Sequence, residues 1–119
     1  MSNKANRFRG NKFNAKKAVC RNEHTHDSKK EATRCDELHT LLAHGLIADL
    51  TIQPQYWFVI NGKQVKHANG RRVGYRPDFN YVMKGIECVE DCKGFITADY
   101  TLRKAIFKAL FPHIEFIES

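Results

Sequence analysis

Lys84-Gly85 is a two-residue turn between two strand-like runs, Arg72 to Met83 and Ile86 to Lys93. A turn that short leaves no slack, so Met83 faces Ile86 and the ladder continues outward pair by pair. Followed to its far end, it sets Asp78 opposite Asp91. Directly opposed residues send their side chains to one face, and Lys93, two residues beyond Asp91, joins them there. Opposed carboxylates repel and weaken a sheet unless a cation lies between them or one of them is protonated. The alternative is that both aspartates are ordinary solvated positions that Lys93 screens.

The remaining elements follow from turn residues and periodicity. Ala18 to Cys20 reads as a short strand. Ser28-Lys29-Lys30-Glu31 has the capping-box form and starts a helix, with Ala32, Cys35, Leu38, Leu41 and Leu42 as its apolar stripe and Gly45 as its stop. Leu50 to Ile52 and Tyr56 to Ile60 are β-rich, and Asn61-Gly62 is the favoured pair for a type I′ hairpin into Lys63 to His67. Trp57 and its neighbours are expected in the core. Asn69-Gly70 marks a further turn. Beyond Gly94, Thr97 caps a second helix to about Leu110, and His113 to Ile117 forms a last strand. The expected fold is α/β: a mixed central sheet with an antiparallel meander, flanked by two helices.

The net charge of +7 is unevenly spread along the sequence. Residues 1–22 carry seven basic side chains (Lys4, Arg7, Arg9, Lys12, Lys16, Lys17 and Arg21) and no acid, which leaves the remainder neutral as a whole. This segment reads as an arm that is disordered when free and drawn to a polyanion such as nucleic acid, with a solubilising tail as the alternative. Residues 23–119 read as one domain. No run approaches the roughly 18 apolar residues of a membrane span, and the N-terminus has no apolar signal region. The expected location is therefore the cytoplasm, where the four cysteines stay reduced and mostly buried. Their spacing lacks the close pairs typical of zinc sites, although Cys20, His24 and His26 lie near one another.

Opposed carboxylates beside a lysine suit a hard divalent cation such as magnesium, with the main-chain carbonyl of Cys92 as an extra ligand. At a phosphodiester such an ion polarises the phosphoryl oxygen and activates water, while Lys93 holds that water or offsets charge on the phosphate. Glu31 lies on the same helix face as Cys35, Leu38 and Leu42. It is either a capping-box glutamate or a third ligand directed toward the sheet.

Arg76-Pro77-Asp78, followed after the turn by Asp91-Cys92-Lys93, resembles the PD-(D/E)XK signature of the restriction-endonuclease-like nucleases. A glutamate on the preceding helix is similar to the arrangement in Holliday-junction resolvases and phage nucleases of that superfamily. The likeness spans roughly residues 27–108 and is strongest to a phage-encoded, largely uncharacterised branch. It implies a restriction-endonuclease-like core, with Glu31, Asp78 and Asp91 as metal ligands and Lys93 as the catalytic lysine. Thr97, Tyr100, Arg103 and Lys104 would lie on the helix beside the site. Tyr100 would stack on or bond to DNA, and Arg103 and Lys104, with Arg76, would take phosphates. The alternative makes Tyr100 a core-edge aromatic and the two bases a solvated face. Cys92 departs from the aliphatic residue expected at its position.

These readings converge on a magnesium-dependent DNA endonuclease, with manganese as a substitute ion. A chain of this size has no separate domain for reading sequence. Selection by shape on branched or partly single-stranded DNA is therefore expected, from a homodimer in the cytoplasm of a phage's bacterial host. Two rivals remain: a non-catalytic nucleic-acid-binding module with a nuclease-like shell, and a zinc-stabilised interaction protein using Cys20, His24 and His26.

Overall fold

Ser28 caps a helix, as its spacing from Glu31 predicts. In the computed structural model of the chain, which describes residues 18–20, 25–26, 28–92 and 96–119, helix α1 spans Lys29–Ala43. The Glu31 amide donates to Ser28 Oγ at 3.1 Å, which satisfies one of the orphan N–H groups of the first turn. Gly45, at φ +75°, closes the other end. Its amide donates to the Leu42 carbonyl and the Leu46 amide to the Leu41 carbonyl, the paired bonds of a Schellman motif. The helix buries Glu31, Ala32, Cys35 and Leu38. Leu42, expected on the same stripe, is exposed. Its angular position is that of the buried face, but periodicity carries no information on how far along the axis that face is covered.

The chain divides into two compact units, Met1–Thr40 and Leu41–Ser119. In the first, strands β1 (Ala18–Val19) and β2 (Thr25–His26) pair antiparallel. The buried thiols of Cys20 and Cys35 meet at 3.3 Å. Burial, with Cys20 alongside, pushes the Cys35 thiol up to about 12, so it stays protonated at neutral pH. All four cysteines are buried and none is joined in a disulfide, in line with the expectation of reduced, mostly buried thiols. His24, on which the zinc alternative depends, lies outside the described residues.

In the second unit, β3 (Ala48–Ile52) is followed by four short strands: β4 (Tyr56–Trp57), β5 (Val59–Ile60), β6 (Lys63–Gln64) and β7 (Gly74–Tyr75). Then come β8 (Phe79–Met83), β9 (Ile86–Asp91), helix α2 (Ala98–Leu110) and β10 (Glu115–Glu118). A mixed sheet has the order β10-β9-β8-β3, with β10 parallel to β9 and the other pairs antiparallel. The parallel pair is joined through α2, since parallel neighbours need a long crossover. Lys84 and Gly85, at φ 53° and 77°, make a type I′ turn, and the register from Met83↔Ile86 to Phe79↔Glu90 is the expected one. Asn61 and Gly62, at φ 53° and 74°, turn the β5–β6 hairpin in the same way.

Two expected strands are each broken. Arg72 to Met83 is interrupted at Pro77, which has no N–H to offer a ladder. Its two parts take different partners, β7 pairing with β4 and β8 with β3 and β9. Tyr56 to Ile60 divides at Phe58, so that β4 pairs with β7 and β5 with β6. Trp57, expected in the core, is 38% exposed, with the Arg72 guanidinium 3.9 Å over its ring. Alternation supplies the reason: Phe58 is fully buried, and its neighbours on an extended chain face outward. The Gln64 amide nitrogen reaches the carbonyls of Phe58, Val65 and Val73 at 3.0, 2.8 and 3.2 Å, tying the limbs of this ribbon together.

The core of the unit is Phe58, Tyr75, Val89, Tyr100, Phe107 and Ile114. Phe107 on α2 lies 5.0 Å from the rings of Tyr56 and Phe111 and 5.3 Å from Tyr75. Such aromatic pairs each add about 0.5–1.5 kcal/mol to the burial of their area. Thr97 caps α2 as expected, its Oγ1 accepting the Tyr100 amide at 3.0 Å. The opposite sheet face carries Phe79, Tyr81, Cys88 and Glu90, all buried. Among the described residues no helix is long and apolar enough to cross a membrane.

Gly74 lets β7 approach β4. A Cβ there would lie 2.8 Å from Gln55 Nε2 and from Trp57 Cε3, and closer still to the Tyr56 carbonyl oxygen. The backbone contact cannot yield as a side chain can. Gly74→Ala is therefore expected to lower unfolding free energy by about 1–3 kcal/mol, read as a shifted urea midpoint at unchanged slope.

Candidate functional site

The β8–β9 ladder ends at Phe79 and Glu90, one step short of Asp78 and Asp91. Beyond that pair, side chains replace main-chain pairing. Asp91 Oδ1 accepts the Asp78 amide at 3.1 Å, and Asp78 Oδ2 accepts the Cys92 amide at 2.7 Å. The Tyr75 hydroxyl donates to the other oxygen of Asp91. Asp91 is fully buried and Asp78 is 9% exposed. A carboxylate withdrawn from water persists only where donors meet its oxygens, and here two amides and a phenol do so. The two carboxylates that the hairpin register aligns are thus brought together, each capping the backbone of the other strand.

The surroundings are rich in phenols. Burial, and then the hydrogen bond to Asp91, raises the pKa of Tyr75 far above the ordinary phenol value. Tyr100 is raised by burial and by its hydrogen bond to Glu118. Glu118 is correspondingly held below the usual carboxylate range, by Tyr100 and then by Lys104, whose Nζ lies 3.0 Å away. Both phenols therefore act as donors at neutral pH.

The other residues singled out in the sequence have diverse placements. Glu31 is 3% exposed on α1, in the first unit. Lys93 and the arm residues Lys4, Arg7, Arg9, Lys12, Lys16 and Lys17 lie outside the described residues. Arg76 is exposed, next to Pro77. Tyr100 is 8% exposed in the core cluster, the placement of a core aromatic. Arg103 binds Asp99 at 2.9 Å and donates to the Gly74 carbonyl. Cys92 is buried, its thiol 3.2 Å from Ser119 Oγ.

Sequence reasoning missed two residues at this end of the sheet. Tyr75 was legible only as part of a strand, because its role depends on the break at Pro77. Glu90 is fully buried on the opposite face, where Tyr81 and Ser119 hydroxyls donate to its two oxygens at 2.7 and 2.8 Å. Strand alternation separates its face from that of Asp91, and that signal was available.

Magnesium is commonly held by one or two carboxylates, with water and substrate phosphate filling the other positions. Asp78 and Asp91 supply two carboxylates of that kind, at the end of one hairpin. Among the described residues no group of three or more His, Cys, Asp or Glu is gathered that could hold a metal.

Fold and site together define a mixed α/β protein, with two helices among the described residues and a buried acidic pair where its central hairpin ends. The chain belongs to the family described as "Protein of unknown function (DUF1064)", which it matches over residues 10–118. No curated protein and no solved structure matches it.

Three phenols are expected to weaken the fold at alkaline pH. Tyr56 is raised to about 12 by burial and then by Glu87, and Tyr75 and Tyr100 are raised as well. The folded state retains protons that the unfolded chain releases near pH 10, so their stabilisation is complete below about pH 10. It declines as pH rises through the folded values. Ultraviolet titration is expected to show these phenols ionising together with alkaline unfolding; independent ionisation near 10 in the folded protein would contradict the burial described.

Proposed function

We propose that this chain is a magnesium-dependent DNA endonuclease with a restriction-endonuclease-like core, in which manganese can substitute. The observation that carries this reading is the reciprocal Asp78–Asp91 pair, two buried carboxylates held together where the hairpin ladder stops. Bound to these two, with the Cys92 carbonyl as a further ligand, the ion would supply polarisation of a phosphoryl oxygen and acidification of a water. The resemblance to PD-(D/E)XK nucleases gives Glu31 the role of third carboxylate, which its own variant tests.

The chain's own side chains have distinct tasks. The Tyr75 hydroxyl fixes the orientation of Asp91, as donors behind a ligating carboxylate do. Lys93, two residues beyond Asp91, holds the attacking water or offsets charge on the phosphate. Arg76, Arg103 and Lys104, with the basic arm, take backbone phosphates, which position DNA without reading sequence. Tyr100 shapes the site from within the core rather than stacking on bases. The substrate we propose is branched or partly single-stranded DNA, selected by its shape. A homodimer acting in the cytoplasm would present one site to each of two strands, as a junction resolvase does.

A second reading, a nucleic-acid-binding module that does not cut, is favoured by one observation. Three arginines (Arg71, Arg72 and Arg103) line a cleft whose walls include neither Asp78 nor Asp91.

Labelled four-way-junction, flap, single-stranded and duplex DNAs, incubated with magnesium, manganese or EDTA, separate the two. Metal-dependent cutting is expected, with the junction or flap preferred. Lys93→Ala is expected to reduce the rate about 10²–10³-fold, and Tyr75→Phe about 10–100-fold, with a higher magnesium concentration needed for the half-maximal rate. Asp91→Asn and Glu31→Gln test the carboxylates. DNA binding without cutting under any metal would leave only the binding module.

A further inference from the structure

From Leu50 to Pro77 the chain contains no aspartate or glutamate, but five basic residues: Lys63, Lys66, Arg71, Arg72 and Arg76. The near-neutral total beyond the N-terminal arm hides this asymmetry. The stretch folds into the ribbon of β4 to β7, and its tip opens a cleft of about 710 Å³ lined by His67, Ala68, Asn69, Arg71, Arg72 and Arg103. Among the described residues no carboxylate lines it, and Arg103 alone of its three arginines is ion-paired, with Asp99 at 2.9 Å.

The tip is built rather than loose. The His67 amide donates to the Arg71 carbonyl at 2.8 Å and the Gly70 amide to the His67 carbonyl at 2.9 Å. Asn69 Oδ1 accepts the Arg71 amide at 2.9 Å. Arg72 rests on Trp57, and the cation–π contact holds its guanidinium in place before any ligand arrives. Among the described residues neither Arg71 nor Arg72 has a carboxylate within ion-pair distance, and both are exposed. Arg103 enters from α2 and donates to the Gly74 carbonyl. The next residue, Tyr75, holds Asp91. One short strand therefore connects the cleft to the acidic pair.

We propose that this cleft seats the phosphodiester backbone of a nucleic-acid duplex, with Arg71 and Arg72 as its principal phosphate contacts and Arg103 at the edge nearer the carboxylates. Guanidinium forks match phosphate oxygens in pairs, which a lysine cannot do. An open cleft lined mainly by polar side chains suits a backbone, whereas a small organic ligand needs apolar walls to bury most of its surface. The inference rests on the nucleic-acid part of the proposed function and is independent of cleavage.

The test is fluorescence anisotropy of the full chain with a labelled DNA duplex in EDTA, across a salt series. Arg71→Glu/Arg72→Glu is expected to raise Kd at least tenfold and to flatten the dependence of log K on log salt by about 2, since each phosphate neutralised by the protein accounts for roughly 0.9 of that slope. Arg71→Glu alone, which leaves the Trp57 stack in place, is expected to flatten it by about 1 and covers the case in which the double variant melts early. Unchanged Kd and slope in both variants would overturn the proposal. So would displacement of the duplex by inorganic tripolyphosphate at equal phosphate concentration, which would mark a compact polyphosphate site. Arg71-dependent binding without any metal-dependent cutting upholds the cleft and removes the nuclease. Cutting with Arg71-independent binding does the reverse.

Discussion

Where the β8–β9 ladder stops, a carboxylate from each side accepts an amide on the other. Pro77 cannot donate to a neighbouring strand, so main-chain pairing alone would leave the corner between β7 and β8 open. Asp91 takes the Asp78 amide and Asp78 takes the Cys92 amide, so the hairpin continues through side chains. The rest of this end of the unit follows from that exchange. The corner frees β7 to pair with β4, and β7 brings Tyr75 over the sheet to reach Asp91. On the other side of β9, β10 lies in register, and the Ser119 amide donates to the Asp91 carbonyl at 2.9 Å.

Charge is sorted along the second unit in a manner that suits the proposed activity. A phosphate approaching Asp78 and Asp91 unaided would be repelled, and buried carboxylates are poorly screened by salt. The ribbon places arginines within a short stretch of chain from those carboxylates, with no acid between Leu50 and Pro77 to offset them. On the proposed reading, backbone contacts outside the acidic pair supply the binding free energy, and the pair is left to the metal and the scissile group. That division matches how protein–DNA interfaces generally use phosphate contacts for position.

The legible part of this structure was the part governed by local rules. The type I′ turn at Lys84-Gly85 has one register, so the meeting of Asp78 with Asp91 followed from counting. Ser28 and Thr97 are caps whose side chains bond within three residues, and both helices begin where those residues sit. What escaped was decided by long-range partners. Trp57 has the hydrophobicity of a core residue, but the burial of Phe58 turned it outward onto Arg72. Tyr75 gained its partner only because the strand breaks at Pro77, which the expectation of a continuous run from Arg72 to Met83 obscured. The arginine cleft was present in the sequence as an acid-free stretch, and summing charge over the whole remainder concealed it.

Tyr75 belongs to two systems at once. Its ring lies among Phe107, Phe116 and Tyr100 in the core, while its hydroxyl meets Asp91. Core positions ordinarily drift through alternative apolar residues so long as volume is kept. Here, a repacking that tilts this ring also moves the oxygen that orients Asp91. The hydrophobic positions around Tyr75 are therefore denied much of the evolutionary latitude of a core, and lineages of this chain should explore sequence more freely in the sheet edge at β3 than in the aromatic cluster beneath β7.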